Sequence, residues 1–387
     1  METKRRKAER KVGRDERDEL MGAGFGGEIH AQRSASLSDG VDGVLQAASL
    51  GVRAIGHGLA VANGLAPRQA LQPVDRLLSN PKRRREAVAR CWVRCGVAER
   101  KARCVNVDGT ELEAAAQAMI GLGPQTEHGR RTPRVWTTVT HAALKGQRNT
   151  QEDALLGLLT EVRPKGVRGT VVADRGFSDS KLDRFLKELG VASIMRCRRM
   201  VSVESAHGER RNAQDWRGAD GRIRGRRGAR VTAEGQPVPM VVCVQQQQMQ
   251  EPWRLASRRS ALQGTASTHL DGKRCTVDET FSDVTNPRLG LGRKHTVRER
   301  NDRRDALFRL AVLAHTLLTV LGKAGEELGM DRGLGATRPR QYSRVRQGQM
   351  LFDLIPTMER KRLRTLLQRF GQLLRAHALL SQVLGYL

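Results

Sequence analysis

Three acidic positions carry the residue types that metal-dependent phosphate chemistry needs. Asp108 stands in ARCVNVDGTE (102–111), Asp174 ends the apolar run of GVRGTVVADRG (166–176), and Asp278 lies in RCTVDETFSD (274–283). Carboxylates are hard oxygen ligands suited to Mg²⁺, which keeps several of its waters. Two such ions roughly 3.5–4 Å apart can activate a water or a 3′-hydroxyl and stabilise the leaving oxygen of a phosphodiester. One Asp at a strand end is commonplace, usually a turn or capping residue. Asp174 is better placed than most, because α/β sheets open into ligand crevices at the C-terminal ends of their strands.

The third stretch poses a choice. Read as a helix, it sets Asp271, Arg274, Asp278 and Thr285 on one face. Glu279 is then rotated by about 100° from Asp278. The two adjacent acids cannot both face one site without unwinding, so one is a candidate ligand and the other a surface or supporting group.

Charge narrows the partner. Lys and Arg number 69 against 41 Asp and Glu, a net +28. A GC-rich coding sequence would raise Arg to some degree, but not to this size. The basic residues recur along the whole chain: KRRKAERK near the start, KRRR at 82–85, RCRR at 196–199, RIRGRRGAR at 222–230 and RKHTVRERNDRR at 293–304. Clusters in every segment suggest a long track of phosphate contacts, each releasing counterions and making binding salt-sensitive. Aromatic residues are only 3%, too few for a single-strand binder built on stacked rings; duplex backbone fits better. The six cysteines contain no CxxC pair, and Cys91 and Cys95 lack partners at zinc-ligand spacing. They read as buried thiols of a reducing compartment. The charged start is no secretory signal. The longest apolar run, 306–322, includes Arg309 and His315, is short for a membrane span and reads as a core helix.

The elements that must position these acids follow from periodicity. LQPVDRLLSN (71–80) has apolar residues at 71, 74, 77 and 78, one helical face. REAVARCWVRCGV follows as a second helix. ARCVNVDGTE, AQAMIGLG and RVWTTVTH then read as three strands of an antiparallel meander. NTQEDALLGLLTEV (149–162) is amphipathic, GVRGTVVADRG a buried strand, SDSKLDRFLKELG (178–190) a helix, and VASIMRCRR another strand. The 201–255 region is polar and Arg/Gly-rich, with a hairpin expected around Glu234-Gly235. Helical texture returns from about 260 to 325 and again over 358–380. The expected class is α/β with a mixed sheet.

The motifs resemble those of the DDE transposases of the insertion-sequence-4 type. The matching pieces are VDRLLSNP (74–81), VDGTE (107–111), HGRRTPRVW (128–136), LKGQRN (144–149), VVADRGFSD (171–179), GKRCTVDETFSD (272–283), RLGLG (288–292) and RQGQM…LIP (346–356). They run from about residue 70 to the C-terminus. The resemblance implies a ribonuclease-H-like fold carrying Asp, Asp and Glu, the second acid in the ADRGF segment. Its third acid sits in a helical motif of Tyr, two residues, Arg, three residues, Glu, six residues, Lys. Arg274 matches the arginine. Asp278 stands at the glutamate, Asp271 at the tyrosine and Thr285 at the lysine, three departures in kind. A one-residue shift nominates Glu279 but loses the arginine match. An Asp at 271 is expected to repel phosphate.

Carried over residue by residue, the resemblance implies that Asp108, Asp174 and Asp278 are catalytic and hold two Mg²⁺ ions, with Mn²⁺ as substitute. Arg274 and Arg175 would contact DNA phosphate. The implied partners are double-stranded DNA, as terminal repeats and target, and a second copy in a synaptic homodimer, with no membrane, in the bacterial cytoplasm. The expected organisation is a basic flexible tail (1–35), a helical DNA-binding-type domain (36–100), a first part of the catalytic core (101–200), a β-rich insertion (201–255), a second part of the core bearing the third-acid helix (256–335) and a C-terminal helical segment (336–387). A catalytically silent DNA-binding derivative is the alternative, and a basic RNA-binding protein a weaker one.

Overall fold

The computed structural model describes residues 31–79, 88–93, 102–112, 115–125, 133–174, 180–216, 220–232, 235–246, 249, 251–259, 263–275, 300–335 and 342–375. Asp278, Glu279, Thr285 and Arg175 lie outside the described residues, as does the expected helical face through 278.

Among the described residues three helices come first: α1 (Ala31–Ala47), α2 (Val52–Asn63) and α3 (Pro67–Ser79). Helix α1 begins inside the stretch expected to be a flexible tail. Pro67 opens α3 at a position whose N–H has no helical partner in any case. Val74 and Leu78 of the expected apolar face are buried.

A single sheet of ten strands follows, in the order β3-β2-β1-β4-β5-β10-β9-β8-β6-β7. Strands β1 (Ala102–Leu112), β2 (Gln117–Pro124) and β3 (Val135–Thr140) form the expected antiparallel meander. Helix α4 (Arg148–Val162) leads to β4 (Arg168–Ala173), and α5 (Ser180–Glu188) to β5 (Ala192–Arg196). Strands β1, β4 and β5 run parallel. The continuous apolar run of β4 has a physical cause: Val171 and Ala173 pack in one core and Val172 in another, so both faces are covered.

The segment expected as a β-rich insertion into the α/β domain is made of strands, and they extend this same sheet. Strands β6 (Ser202–Glu204), β7 (Arg210–Asn212), β8 (Arg224–Val231), β9 (Gln236–Val244) and β10 (Trp253–Ser257) are antiparallel to their neighbours. The reason is β10, which returns to pair with the otherwise open edge of β5, Leu255 opposite Arg196. The β8–β9 hairpin lies where Glu234-Gly235 marks it, and Gly235 takes the left-handed φ of +64° that such a turn asks of glycine.

Helix α6 (Gly264–Gly272) then lies on the sheet, followed by α7 (Asn301–Glu327), α8 (Arg344–Leu354) and α9 (Arg360–Arg375). Helix α7 is long and apolar enough to cross a membrane, yet 89% of its most apolar window is buried inside the fold. It is the axle of the helical core, as its apolar run predicts. Trp136 of β3 meets Phe308 edge-on, 5.1 Å between centroids, and the Asp305 carboxylate accepts from Thr138 N–H at 2.9 Å, so α7 is tied to the meander.

Helices α7 and α8 cross backbone to backbone. A Cβ on Gly348 would sit 1.9 Å from the Leu318 carbonyl oxygen, and one on Gly322 2.0 Å from that of Arg344. Gly348→Ala must force the helices apart, and overpacking of this kind costs about 1–3 kcal/mol or more. Gly157→Ala, inside α4 with nothing within 4 Å, is expected instead to stabilise by up to about 1 kcal/mol. Urea unfolding of the two variants, one losing and one gaining stability, checks the crossing.

Candidate functional site

Parallel pairing sets the first two acids side by side. Val107 of β1 lies opposite Ala173 of β4, so Asp108 and Asp174, one residue further along each chain, flank the same sheet end. Asp108 accepts from the Gly109 N–H at 2.8 Å. Asp174 is the first residue past β4, one-third exposed.

One guanidinium faces both. Arg274 Nη1 is 3.8 Å from Asp108 Oδ2, and Nη2 is 3.5 Å from Asp174 Oδ1. The Arg274 side chain is 9% exposed. Its Nε stands 4.0 Å from Asp271 Oδ1. Asp271 is fully buried, and its other oxygen accepts from Arg196 Nε at 2.7 Å. Arg196 in turn lies over the Trp253 ring, 4.4 Å from its centroid. The result is a chain of alternating charge: Trp253-supported Arg196, Asp271, Arg274, then Asp108 and Asp174. Burial pushes the Asp271 carboxyl above the usual carboxylate range, opposed by Arg196 and then Arg274.

Helix α6 is held in place for this. Gln125, just past β2, donates to the Leu270 carbonyl at 2.7 Å and to Asn106 Oδ1 of β1 at 2.8 Å. The helix ends at Gly272, and Lys273–Cys275 tighten into a 3₁₀ turn. The sequence GTASTHLDG explains the early end: its glycines and β-branched or hydroxyl residues favour a helix weakly.

Sequence reasoning misread Asp271. It expects a residue on the shared helical face that repels phosphate; the structure buries it as the partner of two arginines. Its spacing three residues before Arg274 was the available signal. Arg196, counted in a phosphate-binding cluster, is turned inward, whereas Arg198 and Arg199 of that cluster are exposed. Cys91, Cys104, Cys197 and Cys243 are buried thiols. Burial pushes the Cys197 thiol up to about 12 and Cys243 to about 11, so neither is a thiolate nucleophile at neutral pH.

Whether a divalent cation suits these groups can be asked of the donors. Asp174 Oδ1 is enclosed and makes no hydrogen bond among the described residues; the Arg274 guanidinium stands 3.5 Å from it. Two carboxylates converging on one cationic group form a hard-oxygen set that Mg²⁺, with its retained waters, accepts. Among the described residues no group of three His, Cys, Asp or Glu side chains is close enough to hold a metal ion, so a third protein ligand would come from beyond them.

No protein-family model matches this chain, and no curated protein matches it.

Proposed function

We propose that this chain is a DDE transposase of the insertion-sequence-4 type, which binds the terminal repeats of a mobile element and cuts and joins DNA phosphodiesters. The observation that carries the reading is the shared position of Asp108 and Asp174 on neighbouring parallel strands, both facing Arg274. The strand order β3-β2-β1-β4-β5, with an antiparallel meander leading into a parallel trio, supports the ribonuclease-H-like form of that reading. The net charge of +28 supports a polyanionic substrate.

Asp108 and Asp174 would hold the ions, with Asp278 as the third ligand. A pair of Mg²⁺ ions, or Mn²⁺, would supply an activated water or 3′-hydroxyl and neutralise the leaving oxygen. Arg274 serves the phosphate: two of its nitrogens already point at the acids, and a guanidinium binds phosphate oxygens in the same forked manner. Asp271 and Arg196 hold that guanidinium from behind. A second copy in a synaptic complex would bring two DNA ends together.

A second reading has its own observation. The guanidinium of Arg274 lies within ion-pair reach of both acids, neutralising the cluster from within. That suits a silent DNA-binding derivative. Incubating terminal-repeat duplex with the protein in Mg²⁺ or Mn²⁺ separates the two. Nicked product, absent under chelator, is the expected result; salt-sensitive binding without product would leave only the silent scaffold.

A further inference from the structure

Arg274 stands between two groups of carboxylates and is seated fully on neither. Asp108 and Asp174 face its terminal nitrogens at 3.8 and 3.5 Å, and Asp271 lies beside its Nε at 4.0 Å. All three contacts are ion pairs longer than a hydrogen bond. An enclosed oxygen stands on each side: Asp174 Oδ1 and Asp271 Oδ1 make no hydrogen bond among the described residues. The guanidinium therefore has two stations, forward on the acid pair and rear on Asp271. A shift of about 1 Å brings Nε within hydrogen-bond reach of the rear one.

The two stations differ in access and in rigidity. Asp271 is fully buried, with its other oxygen 2.7 Å from Arg196 Nε. The backbone on both sides of it is fixed. Gln125 holds the Leu270 carbonyl at 2.7 Å, and a Cβ on Gly272 would sit 3.3 Å from the Trp253 ring. The forward station opens outward, since Asp174 is one-third exposed. A ligand thus reaches the acid pair and the tip of Arg274, while the rear seat stays dry and in place.

Ions decide which station is filled. A divalent cation on Asp108 and Asp174 repels the guanidinium toward Asp271. That frees Nη1 and Nη2 for an anion. A phosphate competes with the acids for the same two nitrogens, because a guanidinium grips carboxylate and phosphate with one fork. Once the phosphate has them, the acids regain the charge that attracts a cation. Each ligand removes what opposes the other.

We propose that Arg274 is an exchangeable internal cation, so that a phosphate group and a divalent cation bind this sheet end as a cooperative pair, with Asp271 the rear seat that receives the guanidinium. The cation's seat on Asp108 and Asp174 rests on the transposase reading; the two stations rest on the distances alone. Without phosphate the acids are offset from within and hold a cation weakly. By linkage, the factor by which phosphate tightens the cation equals the factor by which the cation tightens phosphate, and such couplings run at about 5–150-fold.

The test is Mn²⁺ binding, read from the paramagnetic resonance signal of the free ion, with and without methyl phosphate. Association of the two ions in buffer is measured separately and subtracted. In the unaltered chain methyl phosphate should tighten Mn²⁺ by about 5-fold or more. Arg274→Gln should bind Mn²⁺ more tightly without any anion, and methyl phosphate should then add nothing. Asp271→Asn should weaken Mn²⁺, and that loss should vanish in Asp271→Asn/Arg274→Gln, because Asp271 acts through the guanidinium. A thermal melt checks that each variant is folded, and the comparison in the unaltered chain needs no variant. Equal Mn²⁺ affinity with and without methyl phosphate overturns the exchange and leaves the metal centre standing. Uptake by Arg274→Gln alone also overturns it, as does uptake that survives in Asp174→Asn. No uptake in any of these proteins removes the metal centre and the exchange together. Cooperative binding without nicking of terminal-repeat duplex sinks the transposase reading alone. Dimethyl phosphate identifies the source: an effect of both esters seats a backbone phosphodiester at Arg274, and an effect of methyl phosphate alone seats a terminal phosphate.

Discussion

Asp174→Asn is expected to remove metal-dependent nicking almost completely while leaving the fold and duplex binding intact. The residue is one-third exposed and lies past the end of β4, so a neutral isostere disturbs no core packing. What it loses, on the transposase reading, is a charged oxygen donor at the reacting centre. Charge stabilisation of this kind contributes several kcal/mol, and about 4 kcal/mol corresponds to 10³-fold in rate. Single-turnover nicking should therefore fall by on the order of 10³-fold or more. Asp108→Asn should match it, and the two together should lose little beyond either alone, because ligands of one centre act as a unit. Retained nicking in either variant would remove these residues from the chemistry.

The second large effect is on stability. Arg196→Ala strips the fully buried Asp271 of its closest cation, and an uncompensated buried charge costs about 3–5 kcal/mol. Asp271→Asn should cost less, since Arg196 keeps its place over Trp253 and the amide oxygen still accepts a hydrogen bond. The pH dependence has a definite sign. Burial already raises the Asp271 carboxyl above its unfolded value, and losing Arg196 raises it further. A raised carboxyl favours the folded state as protons bind, so the Arg196→Ala penalty is full at neutral pH. It shrinks as pH falls through the folded value and levels off below the unfolded one. Urea unfolding of both variants across that range checks the order and the sign; equal, pH-independent losses would show that the ion pair is not what the burial costs depend on.

Local patterns carried much of the scaffold. The meander, the buried strand before Asp174 and the α4 and α5 helices follow from alternation, apolar runs and closing glycines, all interactions within a few residues. Helix α7 was legible as core because its apolar residues leave no polar face wide enough for solvent. Asp174 was legible because a strand end fixes where its side chain emerges, whereas Asp108 sits inside β1, four residues before that strand ends. Asp271 was not, since its meaning comes from Arg196, 75 residues away in sequence. The continuity of the sheet through β10 was equally hidden: which edge a strand joins depends on what the rest of the fold leaves open.

The closest approach to the central claim is a crystal grown in Mn²⁺ and measured at the manganese edge. The expected result is an anomalous peak held by Asp108 and Asp174, with the Arg274 guanidinium drawn off them. Density empty of metal, with Arg274 still spanning both acids at saturating Mn²⁺, would contradict it.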